Sequence, residues 1–201
     1  MNIRARAFTD GFRLEVPGSI NKLQAESIGD GVIIAQAIMS LQITKGDLLG
    51  DIAVTGALGG ITIKEGSITG ATITAASIGA VKIAGDLSNS LLLAGASLGA
   101  DRALGGTGPS ADIFAGGSIG AIRVGGSVNA STIGAGLDPA DGILHNANDA
   151  ILESSTSRIA QLVVSGSASS DSYFAAGEFK KSPKIDGAKI DPTGDPRFLA
   201  A

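Results

Sequence analysis

The chain has no cysteine and no tryptophan, and only one tyrosine and one histidine. Lack of thiols rules out disulfide staples and thiolate metal centres, and leaves oxidising and reducing locations equally open. Aromatic residues amount to 3%, so any interior is narrow and aliphatic. No stretch of about 18 apolar residues occurs, which removes a membrane-spanning helix. The opening MNIRARAFTDG has arginines without an apolar stretch behind them, so no secretory leader is visible. A formal net charge of −4 argues against general nucleic-acid binding. Helical periodicity is missing too: no run with apolar residues at i, i+3, i+4 and i+7 survives among 30 glycines.

What the chain does have is a repeat. SIGAVKIAGDL from Ser77, SIGAIRVGGSV from Ser118 and RIAQLVVSGSA from Arg158 align without gaps. A first apolar column runs Ile20, Ile38, Leu58, Ile78, Leu98, Ile119 and Ile159. Three residues on lie Leu23, Leu41, Ile61, Val81, Asp101, Ile122 and Leu162. Two further on come Ala25, Ile43, Ile63, Ile83, Ala103, Val124 and Val164. A spacing of two keeps residues on one face of a strand, and the odd spacing of three implies a bend at Gly59, Gly79, Gly99 and Gly120. A glycine-bearing turn follows, then Ile28, Leu48, Ile68, Leu87 and Val128. Last is an Ile-x-Ala pair: Ile33/Ala35, Ile73/Ala75, Leu92/Ala94, Ile113/Ala115, Ile133/Ala135 and Tyr173/Ala175.

Repeats of about twenty residues dominated by β-branched side chains predict an all-β chain, a right-handed parallel β-helix of roughly nine or ten coils. Leucine-rich repeats share the length but require an Asn that is absent here. The first-column spacings are 18, 20, 20, 20, 21 and 40, so a degenerate coil is expected at about 138–157. Coils fill residues 1–178, and 179–201 form a final coil and C-terminal cap, stopped by Pro192 and Pro196. The N-terminus carries no obvious cap, which points to a longer solenoid or a covering subunit.

Four features carry candidate sites. Lys82, Arg102 and Arg123 fall in one outward column, a stripe suited to an anionic polysaccharide or an acidic partner, or simply a solvated strand face. Asp101 interrupts an aliphatic column, and a bulge that turns it outward is the expected outcome. Asp138, Asp141, Asn146, Asn148 and Asp149 supply oxygens at spacings that can wrap calcium. They lack the EF-hand order and its closing Glu, and Asx residues also serve ordinary turns, the expected place of His145. Ile34, Leu93, Phe114 and Phe174 follow inward positions, so alternation turns them out as an interaction face for the tail or another subunit. No paired carboxylates recur on adjacent coils, and no cofactor is implied.

The SIGAVKI-type coils and the tail YFAAGEFKKSPKIDGAKIDPTGDPRF resemble the haemagglutinin-type and autotransporter-passenger β-helices of bacterial surface proteins. Within that group they are similar to the large secreted repeat proteins of planctomycetes and relatives. The resemblance implies an extracellular or cell-surface structural role, as adhesin-like stalk, scaffold or self-assembling filament subunit, with no catalytic residues to carry over. Polysaccharide-binding or polysaccharide-cleaving β-helices are the alternative.

Overall fold

The computed structural model describes residues 1–200. Its elements are strands and one short 3-10 turn, Gly108–Ser110; among the described residues no helix is long and apolar enough to cross a membrane. One eighteen-stranded, mostly parallel sheet dominates.

Pairing follows the repeat. Strand Ser77–Ile83 lies parallel between Ala57–Ile63 and Ser118–Val124, and Arg158–Val164 comes next; these strands make the long-strand face. Ile63, Ile83, Val124 and Val164 are thus successive neighbours, none more than 1% exposed. Past the turn, Ile28, Leu48, Ile68, Leu87, Val128 and Ala168 pair in that order. The short-strand face, typified by Thr72–Ala75, stacks Leu14, Ile33, Ile52, Ile73, Leu92, Ile133, Phe174 and Phe198. All three columns meet in one hydrophobic core. Like side chains over like is what β-branched residues favour on a pleated surface. At the bend a methyl on Gly79 would overlap the Gly59 carbonyl oxygen, so only glycine lets the levels approach there.

The short-strand column counts eight levels, fewer than the nine or ten expected. Seven spacings of ~4.8 Å make a stack roughly 34 Å long. Pairing jumps from Ile78 to Ile119 and from Ile119 to Ile159, a full period being skipped each time. Residues 96–117 and 137–157 leave the ladder as two excursions. Each is closed by a short antiparallel pair, Ala96–Ser97 with Ile113–Phe114 and Leu137–Pro139 with Asp149–Ile151. The expected coil at 138–157 is therefore an excursion, and so is the stretch around Leu98 that matched the repeat. Asp101 and Ala103 are exposed, and Ile113 is 69% exposed. The physical reason lies in the side chains: an unpaired carboxylate in an aliphatic column costs several kcal/mol, about what a whole level contributes. Thr107 in an aliphatic place and Pro109, which cannot donate to a ladder, add to that cost.

A second correction concerns Tyr173. Register sets Phe174 opposite Ile133 and Tyr173 opposite Thr132, so the inward pair is Phe174/Ala176, one residue later than expected. Phe174 fills the core beside Phe198, ring centroids 4.9 Å apart, while Tyr173 packs on the opposite side, its ring stacked on His145.

Two polar rails bind the levels together. Along one turn, Asp47 accepts the Ser67 N–H (2.8 Å), Ser67 Oγ the Asp86 N–H (3.0 Å), Asp86 the Ser127 N–H (2.7 Å) and Ser127 Oγ the Ser167 N–H (3.2 Å). There, each side chain serves the following level. Along the other turn the sense reverses: the Ala71 N–H donates to Ser90 Oγ (3.2 Å) and the Ser90 N–H to Ser131 Oγ (3.1 Å). Ser90, Ser131 and Ser172 are buried, their hydroxyls satisfied by the carbonyls of Ser88, Asn129 and Val128.

Candidate functional site

The outward column of the short-strand face reads Glu15, Ile34, Ala53, Thr74, Leu93, Gly134, Ala175 and Leu199. From Leu93 onward the excursions roof it. Leu93, Ala96, Leu137, Tyr173 and Ala175 form a second buried cluster, against which Leu104, Phe114, Leu144, Ile151 and Leu199 pack. Ile34, Leu93, Phe114 and Phe174 are consequently not brought together as an outer face. Leu93 lies under the roof, Phe114 belongs to it, and Phe174 points into the main core. Ile34 alone stays on the open part, beside a pocket of about 270 Å³ that Arg13, Leu98 and Arg102 also line.

The cationic stripe is shorter than its sequence pattern. Lys82 and Arg123 are direct cross-strand neighbours, with Thr62 before them and Val163, then Lys184, after. Arg102 is elsewhere: it sits in the first excursion at φ 56°, its Nε 3.8 Å from Asp51. Arg123 donates from Nη2 to Gln161 Oε1 at 2.9 Å. Ion pairs among the described residues join Arg13 to Glu15, Lys45 to Glu26, Arg102 to Asp51 and Arg197 to Asp195. Lys64, Lys82, Arg123 and Lys184 have none.

The second excursion holds the Asp/Asn set. Asp141 accepts from the Ile143 N–H (3.0 Å) and from the side-chain amides of Asn146 and Asn148 (3.1 Å each). The Ile143 bond first, then Asn148 and Asn146, hold its carboxyl below the usual range. Asn146 Oδ1 accepts the Asn148 N–H (2.8 Å), and Asp149 accepts the His145 N–H (2.7 Å). The Asp141–Ile143 and Asn146–Asn148 bonds are those of Asx turns. Amide donors rather than oxygens face Asp141, and among the described residues no group of three or more His, Cys, Asp or Glu could hold a metal ion. Asp141, Asn146, Asn148 and Asp149 are thus tied into one hydrogen-bonded loop, while Asp138 stands apart on the strand Leu137–Pro139. Asp112, Asp138 and Asp141 line a cleft of about 440 Å³ between the excursions.

Sequence reasoning missed the contacts that seat this loop. His145, exposed and at φ 65°, stacks on Tyr173 with centroids 4.5 Å apart, and its Nε2 lies 3.4 Å from the Pro196 carbonyl. Burial, then the charge of nearby Asp149, push the Tyr173 phenol above its ordinary value. Asp149 Oδ1 is itself buried and lacks a well-aligned donor. Arg197 pins the tail, donating to the Ala168 carbonyl (2.8 Å) and to Asp195 (2.9 Å), whose carboxyl it holds below the usual range. No periodic signal marks the contacts of His145 with Tyr173 and Pro196 or of Arg197 with Ala168, because each joins residues far apart in the chain.

No family model matches the chain, and neither a curated protein nor a solved structure matches it.

Proposed function

We propose that the stacked columns close into a right-handed parallel β-helix, and that it is a non-enzymatic structural module of an extracellular bacterial surface protein. Its work would be that of a stalk, scaffold or filament subunit. The observation that carries this reading is the unbroken column from Leu14 to Phe198, in which every level presents the same class of side chain to the next. Such a stack gains stability from nearest neighbours alone, so its length is free to serve as a spacer. The roof over Leu93 supports the same reading, since the chain spends its largest loops on covering an apolar stripe.

Small-angle scattering tests the shape: a stack about 34 Å long, thickened on one side by the two excursions, is expected at eight levels. Incubation with a panel of anionic polysaccharides tests the role, and no new reducing or unsaturated ends should appear. Release of such ends, abolished by Asp112→Asn, would make it an enzyme and end the structural reading. Protease treatment of intact producing cells should shed peptides of this chain.

A further inference from the structure

Charge is segregated between two surfaces of this molecule. The two excursions carry Asp101, Asp112, Asp138, Asp141, Asp149 and Glu153 against one base, Arg102, which Asp51 already engages. The long-strand face carries a cationic patch: Lys64, Lys82, Arg123 and Lys184 are exposed and in no ion pair, although Glu65 follows Lys64 and Glu178 stands beside Arg158 at the edge of the patch. Lys82 and Arg123 even stand directly opposite each other, an arrangement that destabilises a sheet when nothing neutralises it. Arg123 is held in place by Gln161 rather than left to swing away from Lys82.

We propose that the long-strand face around Lys82 and Arg123 docks the acidic excursions of a second copy of this chain. The contact rests on the structural reading above and gives it a means of assembly. Small residues, Gly60, Ala80 and Ala121, flank the cations and leave room for an incoming loop. No aromatic ring projects from this face, since Phe8, Phe12, Phe174, Phe179 and Phe198 all pack on the main core. A sugar chain would find charge there but no ring to stack on, whereas a second copy brings carboxylates on protruding loops. The excursions roof the short-strand face, so donor and acceptor surfaces lie on different faces of one molecule. Two different patches in contact make a head-to-tail interface, which extends into an open row rather than closing into a dimer.

Sedimentation velocity at low and high ionic strength tests this. Wild type should form salt-sensitive higher oligomers at about 20 mM salt and revert to monomer at about 500 mM, where the Debye length shrinks to a few ångström. Lys82→Glu/Arg123→Glu should be monomeric in both, and so should Asp138→Lys/Asp141→Lys, with circular dichroism confirming that each keeps its strands. Mixed together, the two variants should assemble into salt-sensitive alternating rows, because charge reversal leaves each complementary to the other at both surfaces. Monomeric wild type at low salt, or assembly indifferent to Lys82→Glu/Arg123→Glu, overturns the proposal. Retention of monomeric wild type on an immobilised polyuronate, lost in that variant, overturns it in favour of a glycan. Scattering from the high-salt monomer separates the two readings: an elongated monomer that never assembles leaves the structural role standing and removes only this contact.

Discussion

Set Ser77–Ile83, reading SIGAVKI, beside residues 97–103, reading SLGADRA. The first is a level of the ladder, paired on both sides; the second matches it in spacing yet lies outside, its neighbours pairing past it. Three residues differ at the buried places: Leu98 for Ile78 keeps the aliphatic class, but Asp101 stands where Val81 stands, and Ala103 where Ile83 stands. One carboxylate and one lost aliphatic side chain remove several kcal/mol from a level, enough to cancel its worth. The comparison teaches that membership of the stack is decided level by level, by the chemistry of a few inward side chains rather than by period.

The strongest way to break the comparison is to give both places the same residue. Ile83→Asp should cost more than about 4 kcal/mol, a large share of a total stability of about 5–15 kcal/mol. Ala103→Asp, at the aligned exposed place, should stay within about 0.5 kcal/mol. Urea titration followed by circular dichroism compares them, and equal losses would mean that both segments are buried alike. Next in size is Gly79→Ala, whose methyl meets the Gly59 carbonyl; it should cost about 1–3 kcal/mol and lower the melting temperature. An unchanged melting temperature would show that the levels are not so closely stacked at the bend.

A pH titration sharpens the contrast on the side of the excursions. Tyr173 has a folded-state pKa above its unfolded value of about 10, so its stabilising effect is complete below pH ~10 and fades as pH rises toward the folded value. Tyr173→Phe should therefore flatten the loss of stability between about pH 10 and 12 and change little at neutral pH. An alkaline limb that is just as steep in the variant would place that titration elsewhere. The smallest effect is expected at Ala130, which holds φ 44° in the turn where Gly70 has φ 66° and Asn89 has φ 49°. Ala130→Gly should raise stability by about 1 kcal/mol, relieving a left-handed conformation that suits glycine. A lower melting temperature would refute it.

Much of the ladder was legible in the sequence. Leu23, Leu41, Ile61, Val81, Ile122 and Leu162 occupy one buried column as the spacing foretold, because two-residue alternation and a fixed period leave little freedom in register. The fate of 98–103 was less legible: the period continues through it, and only the energetics of Asp101 tell against it. The Tyr173/Phe174 slip escaped for a related reason, as both residues are large enough to fill the column. Among the candidate sites, the adjacency of Lys82 and Arg123 followed from the repeat, while the separation of Arg102 followed from its extrusion. The stack of His145 on Tyr173 joins residues 28 positions apart from a loop and a strand, and no periodicity encodes such a meeting.

The opposed rails of Asp47–Ser67–Asp86–Ser127 and Ser90–Ser131 have a bearing on how this architecture can change over time. At the levels of Ser90 and Ser131, one corner's side chain serves the level after and the other corner's the level before. Shifting part of a level would leave latches open on both sides, whereas looping out a complete unit lets its neighbours click together again. Lineages of such chains should lengthen, shorten and sprout loops in whole multiples of the unit. The skips at Ile78–Ile119 and Ile119–Ile159, of 41 and 40 residues, have the size that such a rule requires.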